Sequence, residues 1–342
     1  MRILLTADPE IPVPPGQYGG IERIIDALAS HYGKAAHQVG LVAHPDSRAQ
    51  VDAFFAWPGA RSQHVVDLVR NTRALRLAIK SFQPDIVHSF SRIFYLAPHL
   101  WSHMPKMMSY QRAPTRRTVR MAVRFARNRL AFTGCSEHVC RQGRRGGGRW
   151  HAIHNFVDVD KYTFQPSVAT NAPLVFLSRI ERIKGAHTAI EVAKQSRKRL
   201  LIAGNHFDNG EAGDYWRNVI RPELGKNGIE YVGPVDDRQK NLLLGSALAL
   251  LVPVEWDEPF GIVFAESLAC GTPVLSTPRG ALPEIVRQGT DGFLSNDTAG
   301  LCRAVGQLGQ IRRRDCRQRA EDAFSSRVIV QKYIELYAAL MQ

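Results

Sequence analysis

One stretch limits the folds open to this chain more than any other: Trp256-Asp-Glu-Pro-Phe-Gly-Ile-Val-Phe-Ala-Glu-Ser-Leu-Ala-Cys-Gly-Thr-Pro-Val-Leu275. It reads as a polar loop, a helix and a buried strand. Pro259 cannot donate a backbone hydrogen bond and Gly261 lets a ligand come close to the main chain, so the helix is expected to start near residues 260–262. The backbone N–H groups of Phe260, Gly261 and Ile262 would then point outward and form an anion site. Gly271 ends the helix, and Thr-Pro-Val-Leu-Ser returns the chain to a sheet.

Two carboxylates frame this turn. Glu258 sits in the loop and Glu266 lies inside the helix, where it is the only charged residue between Gly261 and Cys270. A carboxylate on an otherwise apolar helix is costly to bury without hydrogen-bond donors. Sugar hydroxyls are such donors, and acidic residues that hold a ribose recur in nucleotide sites. The residues also admit a plainer reading, with Glu258 as a helix cap and Glu266 paired with a structural arginine.

Glu-Pro-Phe-Gly, a second glutamate after seven intervening residues, and Ala-Cys-Gly-Thr-Pro-Val together resemble the signature of family 4 of the retaining glycosyltransferases. The resemblance extends over nearly the whole chain. It implies an α/β chain of the GT-B class, two Rossmann-like doubly wound domains facing each other across a cleft, with a C-terminal helix crossing back to the first. The expected division is 1–165 plus the helix at about 326–342 for the acceptor side, and 166–325 for the nucleotide-sugar side.

A length of 342 residues suits two such domains, and 44% apolar with 22% charged residues is a globular composition. Met1-Arg-Ile-Leu-Leu-Thr-Ala-Asp reads as a first strand, too short for a signal peptide, and no apolar run is long enough to span a bilayer. The five cysteines are odd in number and form no Cys-x-x-Cys pair, which fits free thiols in a reducing cytoplasm. The net charge of +14 calls for nucleic acid, an anionic membrane surface or phosphorylated substrates as partners.

In chain order, strands are expected at residues 2–7 and 39–43, separated by Pro-Pro-Gly-Gln-Tyr-Gly-Gly-Ile-Glu-Arg and a helix. Strand, glycine-rich loop and helix is the order that holds a diphosphate or sugar. The resemblance makes Gly19 and Gly20 donor-facing; a simple tight turn is the alternative. His88 and Ser89 end another buried strand, and strand ends in parallel sheets are where ligands bind, so His88 is a candidate contact or a structural histidine. After the strand beginning at Lys106, Gln111 stands where relatives often carry histidine. Gln111 and Arg112 are candidate acceptor or sugar contacts.

Residues 115–130 read as a helix with Arg116, Arg120, Arg124 and Arg127 on one face. Such a face suits anionic lipid or an acidic acceptor, or is merely solvated. Arg141, Arg144, Arg145 and Arg149, around glycines 146–148, are expected to extend it as a flexible loop. Asp158 and Asp160 resemble a metal pair only superficially, since they sit in a hinge-like connection. Residues 165–171 read as the interdomain linker.

In the second half, Arg179 and Lys184 resemble the basic pair that the family places on the donor diphosphate. Gly204 ends the next strand, and main-chain groups around Val232 would read the base edge. Glu258 would orient sugar hydroxyls and Glu266 would hold the ribose. The resemblance implies a front-face retaining transfer from a nucleotide-diphosphate sugar, with UDP the expected carrier and no metal or cofactor. The acceptor would be a lipid-linked glycan or small molecule in glycan, glycolipid or natural-product biosynthesis. The protein is expected to be cytoplasmic, with the arginine face resting on an anionic membrane surface. Alternatives are a GT-B nucleotide-sugar epimerase and a basic nucleic-acid or membrane-surface binder; no helix-turn-helix, zinc or aromatic RNA-binding motif supports nucleic acid as a partner.

Overall fold

The computed structural model describes residues 1–16, 19–126 and 129–342. The chain divides into two compact units, Met1–Asn155 with Ser326–Gln342, and Phe156–Ser325. Each is built on one fully parallel sheet. In the first unit the strands are β1 (Arg2–Thr6), β2 (Gln38–Ala43), β3 (Ala53–Ala56), β4 (Ile86–Ser89), β5 (Lys106–Tyr110), β6 (Leu130–Gly134) and β7 (Arg149–Ala152). They lie in the order β3-β2-β1-β4-β5-β6-β7. In the second they are β8 (Leu174–Leu177), β9 (Leu200–Ala203), β10 (Ile229–Gly233), β11 (Ala249–Leu251), β12 (Val274–Ser276) and β13 (Gly292–Leu294), in the order β10-β9-β8-β11-β12-β13.

Both orders are the doubly wound Rossmann arrangement, so the fold class matches the expectation. Strands covered on both faces must be apolar throughout. Ile3, Leu4 and Leu5 of β1 and all four residues of β8 are accordingly buried. The order reverses between β1 and β4 in one sheet and between β8 and β11 in the other. Ligands of such sheets bind beyond the carboxyl ends of the strands at this reversal.

Three expectations are corrected. The chain passes between units at Asn155–Phe156 and Ser325–Ser326, so residues 165–171 are part of the second unit and not a linker. Arg313 Nε donates to Gln165 O at 2.7 Å, and Gln165 N donates to Cys270 O at 3.1 Å. The arginine helix is Arg116–Phe125, shorter than 115–130, because Leu130 already pairs with Lys106 as the first residue of β6. Residues 146–149 are not a flexible loop: they join the helix Glu137–Arg144 to β7, and a Cβ on Gly146 would stand 2.7 Å from Val119.

The last helix, Ser326–Met341, belongs to the first unit, where it packs against the helix Gly20–Lys34. A buried polar relay ties it down. Tyr32 Oη and Tyr337 Oη are 2.9 Å apart, Tyr337 Oη is 2.5 Å from His88 Nδ1, and His88 Nε2 is 2.6 Å from Ser109 Oγ, which in turn meets Thr133 Oγ1. Buried polar groups of this kind are kept only when they are paired.

Candidate functional site

In the second unit the loops after β8 and β11 carry the expected cations and carboxylates, and the backbone locks the two loops together. Glu255 N donates to Ile183 O at 2.8 Å. Gly185, at φ 76°, runs so close to Pro253 that a Cβ would lie 2.0 Å from its carbonyl oxygen. Gly280, at φ 62°, packs in the same way on the backbone of Glu258, whose carbonyl accepts from Ala281 N at 2.8 Å. Any side chain at either glycine would push these loops apart.

The consequence is a clustered set of charges at the reversal point. Lys184 Nζ donates to Glu258 Oε2 at 2.6 Å and lies 4.6 Å above the Trp256 ring. Trp256 Nε1 donates to the same Oε2 at 3.0 Å. Lys184 is 9% exposed and Glu258 7%. Arg179, more open, pairs with Glu181 at 2.9 Å. The two expected diphosphate cations are therefore each held by a carboxylate of the protein.

The helix begins where the sequence places it, at Ile262–Ala269, with Gly261 as its N-cap at φ 76° and no side-chain cap. A Cβ on Gly261 would meet the Phe264 ring at 2.5 Å. Glu266 is buried one turn in. Its Oε1 accepts from Tyr162 Oη at 2.7 Å and from Lys240 Nζ at 2.5 Å. Its partner is thus a lysine and a phenol, and not the arginine of the plainer reading. Burial, then the Glu266 carboxylate, push the Tyr162 phenol far up, which fixes it as a donor. Burial would lower the Lys240 ammonium, but Glu266 and Asp237 outweigh it and hold it above its ordinary value. The neighbouring Cys270 thiol is pushed up to about 12 by burial and then by Glu266, so it is inert.

The two glutamates share one feature. Among the described residues, both donors to Glu258 meet Oε2 and both donors to Glu266 meet Oε1. Each carboxylate is clamped through one oxygen and keeps its second acceptor for other donors.

Gly204 ends β9 at φ 130°, where a Cβ would lie 1.9 Å from Ser178 O. Val232 is 43% exposed on β10. Beside them stands an aromatic wall that sequence reasoning missed. His206 and Trp216 stack with ring centroids 4.3 Å apart and planes 1° apart, and Tyr231 lies 4.7 Å from Trp216 while donating to Gly204 O at 2.8 Å. No periodic or motif signal joins residues 206, 216 and 231. A separate hollow of about 530 Å³, lined by Phe164, Leu248, Pro273, Leu308 and Ile311, lies at the opposite, amino-terminal end of this sheet.

In the first unit Gly19 caps the helix Gly20–Lys34 without a side-chain bond, and a Cβ on it would collide with Pro15 and the Glu22 carboxylate. Gln111 Oε1 accepts from Asn155 Nδ2 at 2.7 Å, and Arg112 is exposed. His88 is a correction. It is fully buried with both ring nitrogens engaged, and burial drops its imidazole to about 3, so it is a neutral core residue and not a ligand contact. Arg116, Arg120 and Arg124 are exposed on their helix, while Arg127 lies outside the described residues. Met121 (62%) and Trp101 (55%) are exposed too, and Trp101 stacks on Phe125 of the same helix at 5.5 Å. Asp158 pairs with Lys161 at 3.4 Å, and among the described residues no three acidic, histidine or cysteine side chains converge as a metal site.

Comparison with known proteins agrees with this layout. The profile described as Glycosyltransferase Family 4 matches residues 18–161, and that of Glycosyl transferases group 1 matches residues 160–320. Glycogen synthase of Mycobacterium tuberculosis is 24% identical over 99% of this chain and 95% of its own length. Among solved structures, sucrose-phosphate synthase of Thermosynechococcus elongatus superposes with a TM-score of 0.81 at 18% identity, covering 99% of this chain and 98% of that one. Anabaena HepE, solved in complex with UDP and glucose, superposes at 0.75 with 19% identity, over 99% and all of the respective chains. These neighbours share the GT-B fold.

Proposed function

Because the chain belongs to the family 4 glycosyltransferases, we propose that it moves a hexose from a UDP-sugar to an acceptor with retention of configuration and without a metal ion. The observation that carries this reading is the pair of half-engaged carboxylates, Glu258 and Glu266, beside Lys184, Arg179 and the uncapped helix start at Gly261. Glu266 offers Oε2 to the ribose hydroxyls, and Glu258 offers Oε1 to the sugar. The diphosphate takes Lys184 and Arg179 from their carboxylates, and the N–H groups at the start of the helix add to its neutralisation. The bond from the anomeric carbon to phosphate oxygen breaks while the acceptor oxygen bonds to the same face of that carbon. The acceptor's proton passes to the departing phosphate.

UDP is favoured because HepE has been solved with UDP-glucose, although starch synthase IV of Arabidopsis has been solved with ADP. The His206–Trp216–Tyr231 wall supplies a flat aromatic surface for the base. Thermal shift with UDP, GDP, ADP and dTDP, each with and without EDTA, tests the donor reading. Stabilisation by UDP that EDTA leaves unchanged supports it. A shift only with another diphosphate, or one abolished by EDTA, refutes it.

The face carrying Arg116, Arg120 and Arg124 with Met121 and Trp101 pairs cationic heads with exposed apolar groups, the composition that docks on anionic lipid. Flotation with phosphatidylglycerol vesicles, lost when these three arginines become glutamine, tests this partner; equal flotation with neutral vesicles counts against it.

A further inference from the structure

The donor groups of the second unit follow three strands, and one histidine joins the segments that carry them. Trp216 of the aromatic wall lies after β9, Arg179 and Lys184 after β8, and Glu258 after β11; these strands are neighbours in the order β9-β8-β11. His187 stands just beyond Lys184, in the first turn of the helix Ala186–Gln195. Its backbone N–H donates to Tyr215 Oη at 3.1 Å, and its Nδ1 is 2.9 Å from the same oxygen. Its Nε2 is 2.8 Å from Glu255 Oε1. Tyr215 ends the helix Gly210–Tyr215 and runs directly into Trp216. Glu255 runs directly into Trp256, whose indole donates to Glu258.

The protons along this path have one arrangement. Burial pushes the Tyr215 phenol up to about 12, so it keeps its hydrogen. Its oxygen already accepts from the His187 backbone, which turns the O–H toward Nδ1 and makes Nδ1 the acceptor. Nε2 then carries the ring hydrogen and donates to Glu255. Burial lowers the imidazole, and Arg182 adds to this against the pull of Glu255, which keeps the ring neutral. Arg182, in the same short turn as Lys184, also covers the Tyr215 ring at 5.7 Å. The His187 side chain is 28% exposed and that of Glu255 37%, so their contact adds little to global stability. What the bonds fix is spacing.

We propose that Tyr215, His187 and Glu255 form a strut in which His187 is a positioning residue, setting the distance between the base wall, the Lys184 cation and Glu258. The proposal deepens the donor reading and rests on it. A ligand held at both ends gains over its separate halves only when the two pockets stand at the span of the ligand. The strut therefore favours an intact nucleoside diphosphate over a nucleoside or a diphosphate alone.

The test is titration of UDP, uridine and inorganic pyrophosphate into the full chain, followed by ligand-observed NMR and calorimetry. The chains are wild type, His187→Phe, Tyr215→Phe, the double variant and His187→Gln, with melting curves to check that each folds. Phenylalanine at 187 keeps an aromatic ring edge-on to Tyr215 and removes both ring bonds, whereas glutamine restores a donor toward Glu255. UDP affinity should fall at least about fivefold in each single phenylalanine variant, while uridine and pyrophosphate stay within about twofold of wild type. The double variant should lose no more than about twofold beyond the weaker single, and His187→Gln should bind UDP more tightly than His187→Phe. Unchanged UDP affinity in His187→Phe, uridine and pyrophosphate falling in step with UDP, or additive losses in the double variant would overturn the strut. Absence of UDP binding in wild type would instead sink the donor reading on which it rests, so the two failures are distinguishable.

Discussion

Replacing Lys184 and Glu258 singly and together separates what the pair does for the fold from what it does for the ligand. The ammonium and carboxylate are 2.6 Å apart and each residue is less than a tenth exposed. Removing one partner of a buried pair costs about 3–5 kcal/mol, because the other charge is stranded. Lys184→Met leaves Glu258 with the Trp256 indole as its remaining donor, which places the cost near the lower end, about 3 kcal/mol. Glu258→Gln keeps an acceptor for both the indole and the ammonium, and Lys184 still covers the Trp256 ring, so about 1–2 kcal/mol is expected. The double variant should then lose about 1–2 kcal/mol less than the sum of the singles. Urea unfolding measures all four chains. The ligand prediction has opposite signs for the two residues. Lys184→Met should weaken UDP about 10–100-fold, the loss of one charge-assisted bond. Glu258→Gln should leave UDP affinity unchanged or raise it a few-fold, because the carboxylate no longer competes for the ammonium. Strict additivity in stability, or equal loss of UDP affinity in both variants, would refute the reasoning.

Three further outcomes follow from the same geometry. His88 is held near 3 in the folded chain against 6.5 unfolded, so its contribution is present above pH 6.5 and is lost as pH falls toward 3. Between pH 6.5 and 5, wild type should lose about 2 kcal/mol through this group alone, and His88→Leu, though less stable at pH 7, should show a correspondingly flatter acid limb in urea titrations. Asp8 has the opposite sign: its folded value of about 6 lies above 3.8, so its favourable contribution is complete below pH 3.8 and disappears by pH 6. Asp8→Asn should therefore melt higher than wild type at pH 7.5, by no more than about 3 kcal/mol, with the advantage shrinking at pH 4. Gly185→Ala should destabilise by about 2 kcal/mol or more and weaken UDP binding together, since the added methyl meets Pro253 O at a positive φ; calorimetry of the variant checks both.

The parts of the fold that were readable in the sequence are those whose chemistry is local. Gly261 and Pro259 mark a helix start, and the helix begins at Ile262. Runs such as Leu-Val-Phe-Leu announce strands buried on both faces, and β8 is one. Two short strands stayed invisible: β3 is Ala-Phe-Phe-Ala with alternating half-buried and exposed residues, and β6, though buried throughout, begins where an arginine-rich helical period was still running. The helix Val65–Phe82 leaves Val65, Val66, Val69 and Leu77 exposed, so its apolar face does not stand out in the pattern.

The candidate site was readable where a motif fixes it and unreadable where tertiary contacts do. Glu258 and Glu266 stand out in the two-glutamate motif, and Arg179 and Lys184 by their resemblance to the family's basic pair. That Lys240 and Tyr162 hold Glu266, from 26 and 104 residues away, has no trace in the sequence. His88 shows the limit from the other side. A histidine at the end of a strand reads equally as ligand contact or core, and only the Tyr337 partner, 249 residues on, decides the matter.

The central claim is a retaining transfer from a UDP-sugar, and the anomer of the sugar released from the donor tests it most directly. UDP-α-glucose incubated with the enzyme in EDTA, followed by one-dimensional proton NMR before mutarotation, reports that anomer. The account predicts α-glucose as the first product, with release falling sharply in Lys184→Met and Glu258→Gln. Initial β-glucose, or release that requires added divalent metal, would contradict it.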